Sequence, residues 1–319
     1  MPTLKEIKGR IGSVRSTLKI TSAMKLVSSA KLRKAQNAIA AMRPYQQRLE
    51  AMLALTFGSM SESPEEALSS ALLRNPIRAN APERASSEDV VEKSPAVIVA
   101  IASNSSLCGG FNANVIAKVR AVRKQGDIVY SIGRKMSDAM ARDGFRSPED
   151  FSDLAEHPVY AKAAELVQKL SEDFYAGRIC GVTLVYTHFE STSRQVPVVE
   201  RLLPMEEISP LASLGRNDNT SGPSPVISSE VEKSPSDAIL EPSAHELLET
   251  LLPKTLKLKL YAALLDSAAA EHAARTIAMQ TATDNAENLL AELTLQYNKG
   301  RQQKITSEIL DLAGGQAAE

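Results

Sequence analysis

The stretch "LKEIKGRIGSVRSTLKITSAMKLVSSAKLRKAQ" (Leu4 to Gln36) sets a mostly apolar or small side chain at every third or fourth position. Carried forward, the series runs Leu4, Ile7, Ile11, Val14, Leu18, Thr21, Lys25, Ser28, Leu32, Ala35, Ile39, Met42, Gln46, Leu49, Leu53. Steps that alternate between three and four are the mark of a coiled-coil seam. Gly9 and Gly12 remove no backbone hydrogen bond and cost about 1 kcal/mol each relative to Ala. Pro44 is expected to kink the helix or split it into two segments. Unbroken to Phe57, the helix would be roughly 80 Å long at 1.5 Å per residue.

A seam that long needs a partner, and the other end of the chain offers one. Helical periodicity resumes after "LLP" (Leu251 to Pro253) and stops at Gly314 and Gly315, residues suited to ending a helix. Its expected seam is Leu256, Leu260, Leu264, Ser267, Ala274, Thr281, Asn288, Leu295, Asn298, Gln302, Ile305, Ile309 and Leu312. Small residues dominate "SAAAEHAARTIAMQTATDNA" (Ser267 to Ala286), which lets a facing helix approach closely. The fold expected is α/β: a long antiparallel coiled coil of N- and C-terminal helices plus a central, mostly parallel, Rossmann-like domain.

That central domain follows from a change of pattern. "PAVIVAIAS" (Pro95 to Ser103), "DIVYSIG" (Asp127 to Gly133), "RICGVTLVYTHF" (Arg178 to Phe189) and "RQVPVVERLLP" (Arg194 to Pro204) have the character of strands. Helices are expected over Asn112 to Lys124, over "RKMSDAMARDG" (Arg134 to Gly144) and near Val159 to Tyr175. Alternation of strand and helix implies a small sheet with helices on its faces. The expected divisions are 1–58 and 243–319 for the terminal helices and 95–210 for the α/β domain. Two Ser-, Pro- and Glu-rich segments, 75–94 and 217–237, are expected to be flexible insertions; they carry related phrases, "SSEDVVEKSP" (Ser86 to Pro95) and "SSEVEKSP" (Ser228 to Pro235).

Composition narrows the function. With 319 residues and 43% apolar content a substantial core is available, while 4% aromatics and no Trp suit helices that meet through aliphatic side chains. The net charge of -1 gives no bulk attraction to nucleic acid, yet residues 1–50 hold eleven Lys or Arg against Glu6 and Glu50, a local +9. This basic helix has three readings: a solvated face, a nucleic-acid contact, or a surface that meets an acidic protein partner. Nucleic-acid readers add stacking or base-reading groups to their charges, and this helix is nearly free of aromatics. No signal-peptide core is evident, and the longest apolar run, Ala96 to Ala102, is far short of the roughly 18 residues a membrane span needs. A soluble chain on the cytoplasmic side is expected.

The familiar catalytic patterns are missing. Cys108 and Cys180 are isolated thiols, and His157, His188, His245 and His272 are scattered without the HExxH spacing. The turn "SNSSLCGGFNANV" (Ser103 to Val115) stands where dinucleotide folds bind phosphate, but its glycines are adjacent and GxGxxG is missing. A nucleotide-dependent enzyme therefore stays a weaker alternative to a tight structural turn. No catalytic residue, metal or cofactor is expected.

Two segments then carry a resemblance. "ITSAMKLVSSAKLRKAQ" (Ile20 to Gln36) and "EHAARTIAMQTATDNAENLLAELTLQYNKGRQQKITSEILDLAGG" (Glu271 to Gly315) closely resemble the terminal helices of the F-type ATP synthase gamma subunit family, and "SNSSLCGGFNAN" resembles that family's first-strand turn. "LYAALLDSAAAEHAAR" (Leu260 to Arg275) resembles its entry to the C-terminal helix. The resemblance covers nearly the whole chain apart from the two insertions. It implies a non-catalytic rotary shaft inside a hexamer of alpha and beta subunits, standing with the epsilon subunit on a ring of c subunits and coupling proton flow to ATP synthesis at the bacterial inner membrane. It further implies that Arg301 and Gln302 hydrogen-bond a beta-subunit loop, that Arg275, Thr306 and Glu308 occupy coupling positions, and that Met24 and Lys25 meet the acidic beta lever. Asn104 and Ser105 stand where the family often has Asp and Arg, which puts any partner contact of those charges in doubt. The absence of a close Cys pair argues against the thiol switch of chloroplast relatives.

Overall fold

The computed structural model describes residues 3–58, 94–204, 241 and 243–315; the expected insertions lie outside them except for Ser94. The elements are α1 (Leu4–Gly58), β1 (Ala96–Ile101), α2 (Phe111–Val122), β2 (Ile128–Ile132), α3 (Arg134–Arg142), α4 (Ser152–Glu156), α5 (Tyr160–Tyr175), β3 (Gly181–Phe189), β4 (Gln195–Leu203) and α6 (Ala244–Gly315). Only α4 goes beyond the expected elements: its five residues are too few to show a period.

Helix α1 opens on a reciprocal capping box. The Thr3 N–H donates to Glu6 Oε2 at 3.0 Å and the Glu6 N–H to Thr3 Oγ1 at 3.3 Å, satisfying two donors that a helix start leaves unpaired. The helix then runs unbroken through Pro44. Beyond Pro44, Leu49 and Leu53 are buried against Leu248, Leu251 and Leu258 of α6. Burying one Leu contributes about 1.5–3 kcal/mol, so this cluster outweighs the roughly 3 kcal/mol that an internal Pro costs. Every seam position from Leu4 to Leu53 is buried or half-buried, as its periodicity predicts.

Helix α6 begins at Ala244, within the expected 243–319 division and ahead of the periodicity read after Pro253, because Ser243 Oγ accepts the Glu246 N–H at 3.2 Å and Leu248, Leu251 and Leu252 pack its first turns. Its register differs from expectation toward the tip. The side chains that face α1 there are Met279, Thr283, Ala286, Leu290, Leu293, Tyr297 and Gly300, whereas Thr281, Asn288, Leu295, Asn298, Gln302, Ile305 and Ile309 are exposed. Spacings of 4, 3, 4, 3, 4 and 3 make this a regular heptad, displaced by two residues from the expected one. Its polar and small members, Thr283, Ala286 and Gly300, disguise it in the sequence.

The two helices, about 80 Å and 110 Å long at 1.5 Å per residue, run antiparallel. Leu32 and Ala35 meet Ala269 and Ala273, the Thr283 and Thr21 hydroxyl oxygens lie 3.0 Å apart, and a Cβ at Gly300 would lie 3.2 Å from Leu4 Cδ2.

The sheet has the order β2-β1-β3-β4, parallel except for the β3/β4 hairpin. The continuous apolar run of β1 is explained by burial on both faces. Val97, Val99 and Ile101 point to α4, α5 and α6, while Ile98 and Ala100 point to α2 and α3. Helix α6 belongs to both parts of the molecule: Leu252, Leu256, Leu260, Ala263 and Leu264 lie on the sheet, and farther along Ala269 and Ala273 meet α1 while Ala270 meets Cys108 and Phe111. The Ala-rich run is small because the helix is packed from two sides there.

Candidate functional site

Three regions hold the residues singled out by sequence, and the structure sets them well apart. The first is the end of α6. From Arg301 to Leu310 every residue is exposed, because α1 starts beside Gly300 and leaves the rest of α6 to continue as a single helix. Arg301, Ile305 and Glu308 are spaced to share one stripe of this tip, and Gln302, Thr306 and Ile309 another. Thr306 donates from Oγ1 to the Gln302 carbonyl at 2.9 Å, and Lys304 and Glu308 approach to 3.6 Å in solvent. Ile305, Ile309 and Leu310 are 47%, 60% and 65% exposed on a helix with nothing beside it among the described residues, a large apolar display for so short a segment. The side chain of Leu312 lies outside those described.

Met24 and Lys25 form the second region, half-buried on α1 one turn beyond Thr21. Thr21 faces Thr283, so these residues lie roughly 30 Å from Arg301 along the coil at 1.5 Å per residue.

The third region is the junction of α6 with the loop after β1, and it is where Arg275 lies. Its side chain is only 9% exposed: Nη1 pairs with Glu271 Oε1 at 2.7 Å and Nη2 donates to Ser105 Oγ at 2.8 Å. Arg275 thus holds the loop to the helix from inside, which is a different position from that of an exposed partner contact. Burial pushes the Glu271 carboxyl above the usual range, against the pull of Arg275. Burial, helped by Arg275, also pushes His272 down to about 4, so its imidazole is neutral at pH 7.

Asn104 and Ser105 are engaged within the chain. Asn104 Nδ2 donates to the Ser152 carbonyl at 2.9 Å, and its Oδ1 accepts the Arg134 N–H at 3.0 Å. The turn itself is filled by its own side chains: Ser103 Oγ, Asn112 and Cys108 Sγ bond one another, with Asn112 Nδ2 3.1 Å from the sulfur. Leu107 sits at φ 66 and Gly109 at φ 58, left-handed positions that fold the loop back toward α6. A cavity of about 230 Å³ lies beside it, lined by residues including Phe111, Asn114, Gln195 and Ile277. That is smaller than the roughly 300–1,000 Å³ of typical small-molecule pockets. Gly133 closes the same end of the sheet at φ +102, where a Cβ would fall 2.2 Å from the Ala102 carbonyl oxygen.

A second polar contact joins sheet and shaft. His188 Nδ1 lies 2.5 Å from Asp266 Oδ2, and the Phe189 N–H donates to Asp266 Oδ1 at 3.0 Å. The bond to Asp266 holds the His188 pKa above its ordinary value. Sequence reasoning does not reach Ser105, Glu271, His188 or Asp266 as members of one junction. Only Glu271 and Arg275 leave a trace there: opposite charges four apart within an Ala-rich run signal a pair that must be satisfied internally. Among the described residues no cluster of three or more His, Cys, Asp or Glu could hold a metal ion, and no helix is long and apolar enough to cross a membrane.

Comparison with known proteins agrees over the whole length. The sequence profile of the ATP synthase family matches residues 3–318. The ATP synthase gamma chain of Bacteroides thetaiotaomicron is 41% identical over 322 residues, covering 99% of each chain. That of Flavobacterium johnsoniae is 38% identical over 323 residues, covering 100% of this chain and 99% of the relative. These alignments span the two Ser- and Pro-rich segments. The fold is similar to that of a chain in the Euglena gracilis mitochondrial ATP synthase OSCP/F1/c-ring structure, with a TM-score of 0.60, 17% identity, and coverage of 99% of this chain and 94% of that one. A chain of the rotor from the same organism gives a TM-score of 0.57 at 16% identity, covering 95% and 98%. Full-length identity near 40% and a shared fold establish that the chain belongs to the ATP synthase gamma-chain family.

Proposed function

We infer that this chain is the central rotary shaft, the gamma subunit, of an F-type proton-translocating ATP synthase. It couples rotation of a ring of c subunits to conformational change at the catalytic sites of the beta subunits. The observation that carries this reading is the tip of α6 beyond Gly300, without a neighbour among the described residues, which extends a paired helical shaft and exposes apolar and polar side chains together. A shaft has to be stiff, which two helices sharing one seam supply. It has to be uneven about its axis, and a single helix continuing past its partner is uneven by construction.

On this reading Ile305 and Ile309 seat the tip in an apolar collar of the alpha–beta hexamer, while Arg301, Gln302, Thr306 and Glu308 meet beta subunits through polar contacts. Polar contacts at an exposed surface contribute on the order of 0–1 kcal/mol each, so they orient a moving partner without trapping it. Met24 and Lys25, on the basic α1, meet the acidic beta lever farther down, where complementary charge guides approach. The chain carries no bond chemistry of its own; catalysis belongs to the hexamer. The sheet domain forms the foot, with the epsilon subunit and the c ring as partners, and the assembly lies on the cytoplasmic face of a bacterial inner membrane.

Co-expression with the cognate alpha and beta subunits tests this. A 3:3:1 complex with ATPase activity is expected, and failure to form one would end the reading.

A further inference from the structure

Torque that enters at the foot has to reach the coil through the contact between the sheet and α6. Most of that contact is aliphatic: Leu252, Leu256, Leu260, Ala263 and Leu264 lie on the sheet face. Apolar burial is non-directional, so it holds the helix down without fixing its rotation about its own axis. Lys259 and Glu200 of β4 form one partly exposed ion pair within it, at 2.8 Å, and two further directional ties stand just beyond it. Asp266 grips the end of β3 with both carboxylate oxygens, at 2.5 Å to His188 Nδ1 and 3.0 Å to the Phe189 nitrogen. Arg275, braced by Glu271 at 2.7 Å, donates to Ser105 Oγ at 2.8 Å in the loop after β1.

The two ties are nine residues apart on α6. At about 100° per residue they leave opposite sides of the helix, and at 1.5 Å per residue they are roughly 13 Å apart along it. A helix held on opposite sides by short directional bonds resists rolling in both senses. A single tie would act as a pivot.

We propose that Asp266 and Arg275, with their partners His188 and Ser105, form a two-point clamp that transmits torque between the sheet domain and the coil. They are positioning residues: they touch no nucleotide and act through the orientation of α6. The proposal rests on the shaft reading and adds the place where twist passes from foot to shaft.

The test uses the assembled holoenzyme, its hexamer immobilised and a bead attached to the sheet domain through Lys118→Cys. Thermal fluctuation of the bead about its axis reports torsional stiffness. Ser105→Ala and Asp266→Asn, singly and together, are expected to widen that fluctuation, the double variant more than either single one. ATP hydrolysis by the detached hexamer with its shaft should stay unchanged, and Ser105→Thr, which keeps the hydroxyl, should restore stiffness. Unchanged fluctuation in the assembled double variant would overturn the clamp. Should Asp266→Asn fail to assemble, the Ser105→Ala and Ser105→Thr pair decides, since only loss and rescue of stiffness fits. An unmodified chain that formed no rotating complex would instead overturn the shaft reading, so the two failures are distinguishable.

Discussion

At Arg275 the chain buries a full charge, and the consequences reach its neighbours. Glu271 supplies the counter-charge, and His272 alongside is held neutral by burial and by the positive field of Arg275 and Lys31. A histidine whose folded-state pKa is depressed has a definite linkage sign. The unfolded chain takes up a proton near 6.5 that the folded chain refuses until about 4, so stability falls as pH drops through that window. Glu271, raised by burial, acts in the opposite sense, and the comparison has to isolate His272. Denaturant unfolding of the wild type and of His272→Gln between pH 7 and pH 4 does so. The wild type should lose more stability over that range, and parallel curves would rule out the assigned state. His188 has the reverse sign: its raised pKa gives stability that is present at low pH and lost as pH rises through the folded value. None of these environments is legible in the sequence: Glu271 and His272 are buried where Arg275 meets the Ser105 loop, 170 residues away, and His188 is set by Asp266, 78 residues away.

The helices themselves are largely legible, and the exceptions are instructive. The α1 seam reads correctly throughout because its spacing is carried mainly by Leu, Ile and Ala. The α6 seam reads two residues out because Thr283, Ala286 and Gly300 face the partner while Leu295 and Ile309 do not, so hydropathy points to the wrong stripe. "SAHE" (Ser243 to Glu246) has the capping-box spacing that marks the start of α6, in line with the expected division at 243. Register in such a small-residue seam calls for a polar pin, and Thr21 and Thr283 provide one. With their oxygens 3.0 Å apart, Thr283 shares its proton between Thr21 and the Met279 carbonyl at 2.8 Å, while the Thr21 proton goes to the Leu18 carbonyl at 3.1 Å. Thr21→Val or Thr283→Val alone should cost about 1 kcal/mol, while the double variant should be nearly neutral, since apolar replacement of both partners leaves nothing unsatisfied. A thermodynamic cycle should therefore show a coupling of about 2 kcal/mol, the sum of the two single costs. Strict additivity would mean that the pair does not act together.

For the whole molecule, the shape is more visible in the sequence than the contacts are. Two heptad helices flanking an alternating strand and helix pattern lead directly to a coiled coil on a small sheet domain. Hydropathy does not say which polar residues of α6 face inward and which are left for partners: Arg275 and Arg301 look alike in the sequence, yet one is 7% exposed and the other lies on the exposed tip. That contrast predicts different outcomes. Replacing Arg301 and Gln302 together with Ala should leave the isolated chain folded, since both are exposed. In the complex the same change should lower coupled ATP turnover by roughly ten-fold if their polar bonds to the partner supply about 1.4 kcal/mol of transition-state stabilisation. Turnover equal to the wild type would remove them from the coupling surface. Co-expression with the cognate alpha and beta subunits, followed by observation of single immobilised complexes in ATP, shows whether this chain turns inside a hexamer. A 3:3:1 assembly whose sheet domain rotates in one direction is the predicted result; a hexamer that forms and hydrolyses ATP without taking up this chain would contradict it.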